Sequence, residues 1–305
     1  MAATNADRTV SRADSSRPKG WLNSITPSSR FYPLRQLLEN KIAVISGLFL
    51  LTVIVLSMLA PVLTSYDPKT ADPISRLQGP SSKHWMGTDD LGRDVLTRAL
   101  YGARVSLLVG TVVMLVAATF GSLIGLIAAF YRRLDTPIMR VIDGMQAFPS
   151  ILLAIAIMAS LGPSTVNVII ALAVVYTAPI SRVVRGAALV TKQQPYVESA
   201  RAIGARDHLI LRRYVFANSL SPLIVQCTFV IAFAIISEAS LSFLGAGVPP
   251  ETPTWGNMLQ NGQRLISRAW WLSVFPGVAL VLTVLSLNLL GDGLRDALDP
   301  RSRER

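Results

Sequence analysis

Charged side chains are scarce in this chain. They make up 15% of its 305 residues, against about 25% in a soluble globular protein. They are missing altogether from residues 42–66, 105–131, 144–181, 214–237 and 269–291. Uncharged runs this long argue against a soluble fold, whose core helices are shorter. Cysteine is nearly absent. Cys227 stands alone inside one of the uncharged runs, so it forms no disulfide within the chain and reads as a small apolar filler. Only two histidines occur, His84 and His208. Without an H-E-x-x-H pattern or a His/Cys/acid cluster, no metal site is predicted. The chain also lacks a G-x-x-x-x-G-K-[ST] loop, which excludes ATP binding of that kind. A serine–histidine intramembrane hydrolase is disfavoured, since both histidines lie far from any span centre. Gly291-Asp292-Gly293 is not the order that an intramembrane aspartyl protease requires.

What the chain has instead is apolar length: 51% of its residues are hydrophobic. A hydrocarbon core about 30 Å thick takes roughly 20 helical residues to cross. The run 144–181 is too long for one crossing and is broken by Ser160-Leu-Gly-Pro-Ser-Thr-Val-Asn167, a turn-forming segment. Six transmembrane helices are predicted, at about 42–65, 105–131, 144–161, 165–181, 214–237 and 269–291. The fold class is an all-α membrane protein, in which each helix satisfies its own backbone polar groups. The first 41 residues hold no apolar run, so no cleavable signal peptide is expected and the first span serves as an anchor.

The net charge is +11. In a soluble protein that would suggest nucleic acid; here topology accounts for it. With the N-terminus cytoplasmic, 21 Lys and Arg fall on the inner side and 8 on the outer side. The positive-inside bias therefore selects N-in and C-in. The lipid bilayer is the expected surrounding, and no nucleic-acid partner is needed.

Residues 1–34 read as a disordered cytoplasmic tail, rich in Ser, Arg, Asp and Pro, and residues 35–305 as the membrane domain. A short helix is expected along the inner surface over 31–40, with Pro33 near its start. In the outer loop 67–104, Gly87 to Gly102 reads as a capped helix with Thr88 to Asp90 as N-cap residues. Asp89–Arg93 and Asp94–Arg98 have the favourable i,i+4 order, and Val95, Leu96, Ala99 and Leu100 form an apolar stripe. Trp85, Trp255, Trp270 and Trp271 fall on the outer side, as an aromatic belt requires. Gly121-Ser-Leu-Ile-Gly125 is a close-approach pattern, for packing within the chain or along a dimer seam. Pro149, Pro179 and Pro276 are kink points.

The cytoplasmic loop 182–213 is the most informative segment. Pro195 suits the first turn of a helix over 196–203. Gly204 supplies its left-handed cap, and Asp207 caps a second helix from His208 to Phe216. Glu198, Arg201 and Arg206 surround the small Ala200 and Ala202. Spacing alone leaves two readings: a small-faced helix that enters another protein's groove, or a solvated connector.

Glu198-Ser-Ala-Arg-Ala-Ile-Gly204 resembles the glutamate–alanine–alanine…glycine loop of binding-protein-dependent ABC importer permeases. Gly87-Thr-Asp-Asp-Leu-Gly-Arg-Asp94, Glu238-Ala-Ser-Leu-Ser-Phe-Leu-Gly245 and Asn288-Leu-Leu-Gly-Asp-Gly-Leu-Arg-Asp-Ala-Leu-Asp-Pro300 resemble the C-type subunit of the dipeptide/oligopeptide/nickel permeases. The four segments stand in the family's order, and together with the six-span layout they cover about residues 35–300. The resemblance implies a type I ABC importer transmembrane fold in the cell inner membrane. It implies that Glu198, Ser199, Ala200, Arg201, Ala202, Gly204 and Ala205 form the coupling loop that enters a cleft of a separate ATPase subunit. It further implies a second, homologous permease chain (a heterodimer), two ATPase subunits that carry the ATP and Mg, and an extracytoplasmic solute-binding protein. This chain itself then binds no cofactor and is no enzyme. Two positions depart from the family: Ser199 replaces the usual alanine, and Phe216-Ala217 replace a leucine–proline pair before Asn218. The second departure predicts a helix that runs straight into the fifth span.

Phe243 and Leu244 are either part of an outer gate or binding-protein contact, or part of a re-entrant turn that only packs the bundle. The acids of Gly291–Pro300 would cap the sixth span, pair with Arg295 or line the exit. The rival functional classes are a stand-alone secondary transporter or channel, and a membrane-anchored receptor. The uncharged spans argue against ion coupling, and the chain has no sizeable soluble domain for a receptor.

Overall fold

The computed structural model describes residues 32–298. The expected tail, 1–34, therefore lies outside the described residues up to position 31. Residues 32–34 already belong to helix α1, Tyr32–Glu39. Helix α2 is Lys41–Met58, and the Asn40 side chain accepts from the amides of Ile42 and Ala43 at 3.1 and 3.2 Å, an N-cap that satisfies two otherwise orphaned donors. A short helix, α3, Ala60–Leu63, extends the first span outward.

Helix α4, Val95–Phe130, is one rod of 36 residues, about 54 Å at 1.5 Å per residue. The expected outer helix and the second span are thus one element. It starts at Asp94, whose carboxylate accepts from the amide and hydroxyl of Thr97, both at 2.8 Å. Thr88 to Asp90 are not its caps.

The third span differs most from the expectation. Helix α5, Arg132–Gln146, and helix α6, Ser150–Leu161, meet at a bend of 92°. Pro149 lies at the break, where it disfavours α-helical geometry for Phe148. With 12 residues, α6 is about 18 Å long and cannot cross alone. The basic residues expected in an inner loop (Arg132, Arg133, Arg140) lie on α5. Gly162, at φ +81°, closes α6, and Asn167 donates to the carbonyls of Leu161 and Gly162 at 2.8 and 3.0 Å.

Helix α7, Thr165–Lys192, runs past its hydrocarbon stretch into the inner side. Two short helices follow: α8, Pro195–Ala202, and α9, Asp207–Ile210. A π-helical turn, Leu211–Phe216, then leads into α10, Ala217–Phe243. The side chains of Asn218 and Ser219 donate to the carbonyls of Tyr214 and Val215 at 2.7 and 2.8 Å. Residues 207–243 are continuous, in keeping with the Phe216-Ala217 departure. Helix α11, Trp255–Gln263, folds back on the outer side, and α12, Trp271–Leu298, completes the bundle. Among the described residues, five helices are long and apolar enough to cross a membrane, and the bent α5–α6 pair, counted as one broken span, brings the number to six.

The core is built on close helix approach. Side-chain atoms added at Gly121 and Gly125 would meet Ile180 and the Ser181 carbonyl of α7; the glycine pattern therefore serves packing within this chain. Gly110 faces Ile235 of α10 in the same way. In lipid, where apolar side chains gain nothing from leaving the solvent, small residues that bring backbones together supply the packing attraction.

Candidate functional site

The inner knuckle is built from α7, α8 and α9. Pro195 sits in the first turn of α8, where its missing N–H removes no helical bond. The helix ends in a Schellman turn: the amide of Ala205 bonds the Ala200 carbonyl and that of Gly204 bonds the Arg201 carbonyl, both at 3.0 Å. Gly204 has φ +83°, a conformation open to glycine at no steric cost. Asp207 lies inside the first turn of α9 and makes no side-chain cap; Arg206 holds the cap position.

One face of α8 is seated on the bundle. Val197 and Ala200 are buried, as are Ile210 of α9 and Val215 beyond it, and the Tyr196 and Tyr214 rings lie 6.0 Å apart. Ala200 therefore faces the bundle and is not on the exposed surface with Ala202. Glu198, Ser199, Arg201, Ala202 and Gly204 face outward, and Ala205 is half-buried. At the tip, Ile203 is 86% exposed.

The outer side is a different construction. Gly87 to Asp94 is a closed loop rather than a helix, with a bridge between Thr88 and Asp94. Thr88, Asp89, Arg93, Asp94 and Arg98 are all buried. Asp89 accepts from Arg93 Nε at 2.7 Å and lies 3.6 Å from Arg98 Nε. The expected Asp94–Arg98 pair does not form. Asp94 instead meets His84 Nδ1 at 2.9 Å, and Arg98 donates to the Pro68 carbonyl at 2.8 Å. Trp271 Nε1 donates to the Thr88 carbonyl at 3.2 Å, which ties the loop to α12. Below the loop, the Ser75 hydroxyl bonds Asp72 and holds its carboxyl below the usual carboxylate range.

Phe243 is half-buried and Leu244 is 59% exposed. They end α10 just before Gly245, at φ +79°. The segment that follows folds tightly into α11. Asn257 donates to the carbonyls of Val248, Pro249 and Thr252 at 3.0–3.1 Å, and Gly256 packs against the Ala239 backbone.

The residue missing from the sequence expectation is Glu238. The uncharged run stops at Ser237, but α10 continues, and Glu238 is wholly buried inside it. Ser106 of α4 and Ser242 of α10 donate to its two carboxylate oxygens, each at 2.8 Å. Among the described residues of the spans, Glu238 is thus a deeply buried carboxyl with hydroxyl partners on α4 and α10. Its helical spacing from the buried Ala234, Ile235, Leu241 and Ser242 was the available signal. At the end of α12, Asp292, Arg295 and Asp296 are exposed and form no ion pair among the described residues.

No cluster of His, Cys, Asp or Glu able to hold a metal occurs among the described residues. Residues 121–304 match the family model of the binding-protein-dependent transport system inner membrane component, and residues 32–80 that of the N-terminal TM domain of oligopeptide transport permease C. The dipeptide transport system permease protein DppC of Alkalihalophilus pseudofirmus is 44% identical over 270 residues, 88% of this chain and 89% of its own. The glutathione transport system permease protein GsiD of Pectobacterium atrosepticum is 45% identical over 278 residues, 90% of this chain and 92% of its own. A solved inward-facing structure of the MetNI methionine ABC transporter superposes with a TM-score of 0.55 at 18% identity, over 67% of this chain and 96% of that one, a likeness of fold. With its six-span bundle and matches along nearly its whole length, the chain belongs to the inner membrane components of binding-protein-dependent transport systems, in the peptide-permease branch that includes DppC and GsiD.

Proposed function

We propose that the chain is one of two transmembrane subunits of an ATP-driven importer. It forms half of a path for di- or oligopeptides, or related small solutes, delivered by an extracytoplasmic binding protein. The observation that carries this reading is the inner knuckle. A stiff, Schellman-capped helix is anchored on its Val197–Ala200 face and offers Glu198, Ser199, Arg201 and Ala202 outward, with Ile203 uncovered at its tip. A large apolar side chain in a charged loop gains free energy when a partner covers it. The partner is an ATPase subunit, and ATP and Mg reside there; this chain performs no hydrolysis. A second, homologous permease chain completes the path. Leu244, exposed at the end of α10, contributes to the outer gate with Phe243 or meets the binding protein. The curated relatives supply the substrate class: their names give dipeptide and glutathione, both peptides.

The test is isolation of the tagged chain from its native membrane in mild detergent. Two Walker-motif ATPase subunits and one related six-span chain are expected with it. Recovery of the chain alone or as a homodimer that moves solute without ATP would overturn the reading.

A further inference from the structure

We infer that Arg185 and Asp135, with Arg182 and Asp143 beside them, are positioning residues that carry displacement of the coupling loop into the bent third span. The inference rests on the importer reading. Its physical basis is the way α7 and α5 are joined.

Helix α7 ends at Lys192, and only two residues separate it from α8. The Gln194 carbonyl accepts from the amides of Val197 and Glu198, so the joint has little slack. A push on α8 therefore reaches the inner third of α7 directly. That stretch holds α5 by charge. The Arg185 guanidinium donates to both carboxylate oxygens of Asp135, at 2.5 and 2.6 Å. Arg182 donates to Asp143 at 2.6 Å. Lys192 Nζ donates to the carbonyls of Ala129 and Phe130, at 2.8 and 3.3 Å, and so fixes the end of α4 where α5 begins.

On the apolar side of α5, Ile142 is buried but its neighbours are only partly packed. Between Ile138, Val141 and Met145 of α5 and the facing surfaces of α4 and α7 lies a groove of about 650 Å³. By contrast, α4 meets α7 closely at Gly121, against the Ile180 side chain, and at Gly125, against the backbone of Ser181 and Arg185. The ion pairs are thus a main tie between α5 and α7. A bidentate guanidinium–carboxylate pair fixes angle as well as distance, so α5 follows α7 when α7 moves. The far end of α5 is the 92° bend into α6, and a rotation of α5 is passed to the half-span that follows. The Arg182–Asp143 pair is exposed and adds little to stability; the half-buried Arg185–Asp135 pair stays open to water on one side, so breaking either leaves the bundle folded.

The experiment uses the purified assembly with its co-isolated ATPase subunits. Met145→Cys, in a Cys227→Ala background, is labelled with a membrane-permeant maleimide without nucleotide and after trapping with ATP and vanadate. The parent assembly is expected to show a difference in labelling rate between the two states. Asp135→Asn and Arg185→Gln are expected to abolish that difference while ATP hydrolysis persists. The exchange Asp135→Arg with Arg185→Asp is expected to restore it. A parent-like difference in the single variants overturns the inference, and so does an exchange variant that stays as defective as the singles. Absence of any ATPase from the assembly overturns the importer reading and this inference with it. ATPase present, with unchanged labelling in the single variants, overturns this inference alone.

Discussion

The two ends of the bundle use polar side chains in opposite ways. On the outer side, Thr88, Asp89, Arg93, Asp94, Arg98 and Glu238 are buried, and Arg98 and Glu238 take partners from distant parts of the chain. On the inner side, Glu198, Arg201, Arg206 and Asp207 are exposed, and Arg182 and Asp143 pair at the surface, each about half exposed. A buried polar group left without its partner pays the full desolvation penalty, whereas an exposed one is rehydrated. The outer polar groups therefore hold shape. The inner ones are free to serve contact and motion. Substitutions should separate the two: loss of folded protein outside, loss of coupling in a folded protein inside.

Glu238→Ala should give the largest effect. It removes the common acceptor of Ser106 and Ser242 and leaves space in a closed core. Each stranded buried group costs about 1–3 kcal/mol, so a loss of at least about 2 kcal/mol is expected. Membrane abundance and the thermal midpoint of the detergent-solubilised protein measure it. A parent-like midpoint would break the comparison on its outer side.

Gly92→Ala should come next. Gly92 has φ +78°, and a methyl group there would run into the Asp72 carbonyl. The strain is about 1–3 kcal/mol, with the loop from Asp72 to Asp94 loosened first. Limited proteolysis of the outer face should show cleavage within this segment before the spans are affected.

Gly204→Val tests the inner side. Gly204 shares the positive φ of Gly92, but nothing lies within 4 Å of the position its side chain would take. Only backbone strain of about 1–2 kcal/mol remains, and it falls on the knuckle. ATP hydrolysis should no longer drive uptake, at parent-like membrane abundance. Gly204→Asn sharpens the test, because asparagine tolerates the left-handed region; it should retain much of the uptake that valine loses. Normal uptake by the valine variant at equal abundance would sink the coupling assignment.

The same division decides what could be read from sequence. The knuckle is local: Pro195 begins a helix and Gly204 ends it, and both signals lie within ten residues of the structure they specify. The outer loop is not local. The order Asp89, Arg93, Asp94, Arg98 fits a helix surface, yet Asp94 is taken by His84 and Arg98 by the Pro68 carbonyl. Tertiary partners overrode the helical spacing, and the helix begins only where Asp94 caps it. Pro149 marked a kink in the third span, but neither its 92° angle nor the separation of α5 from α6 is encoded in a hydropathy run. Glu238 escaped because charge-free runs mark the hydrocarbon stretch, while burial inside the bundle continues beyond it.

Arg182→Gln should have the smallest effect on stability and is for that reason the sharpest probe of the inner side. Its partner Asp143 and the arginine itself are each more than half exposed. Such a pair contributes at most about 1 kcal/mol, and less as salt screens it. The thermal midpoint should stay close to that of the parent, and the residual difference should shrink as ionic strength rises. If α5 follows α7 through these charges, the variant should nonetheless weaken transport, though less than Arg185→Gln, whose pair is bidentate and more enclosed. A large fall in midpoint would mean that the inner pairs hold shape as the outer groups do, and the contrast between the two ends would be lost.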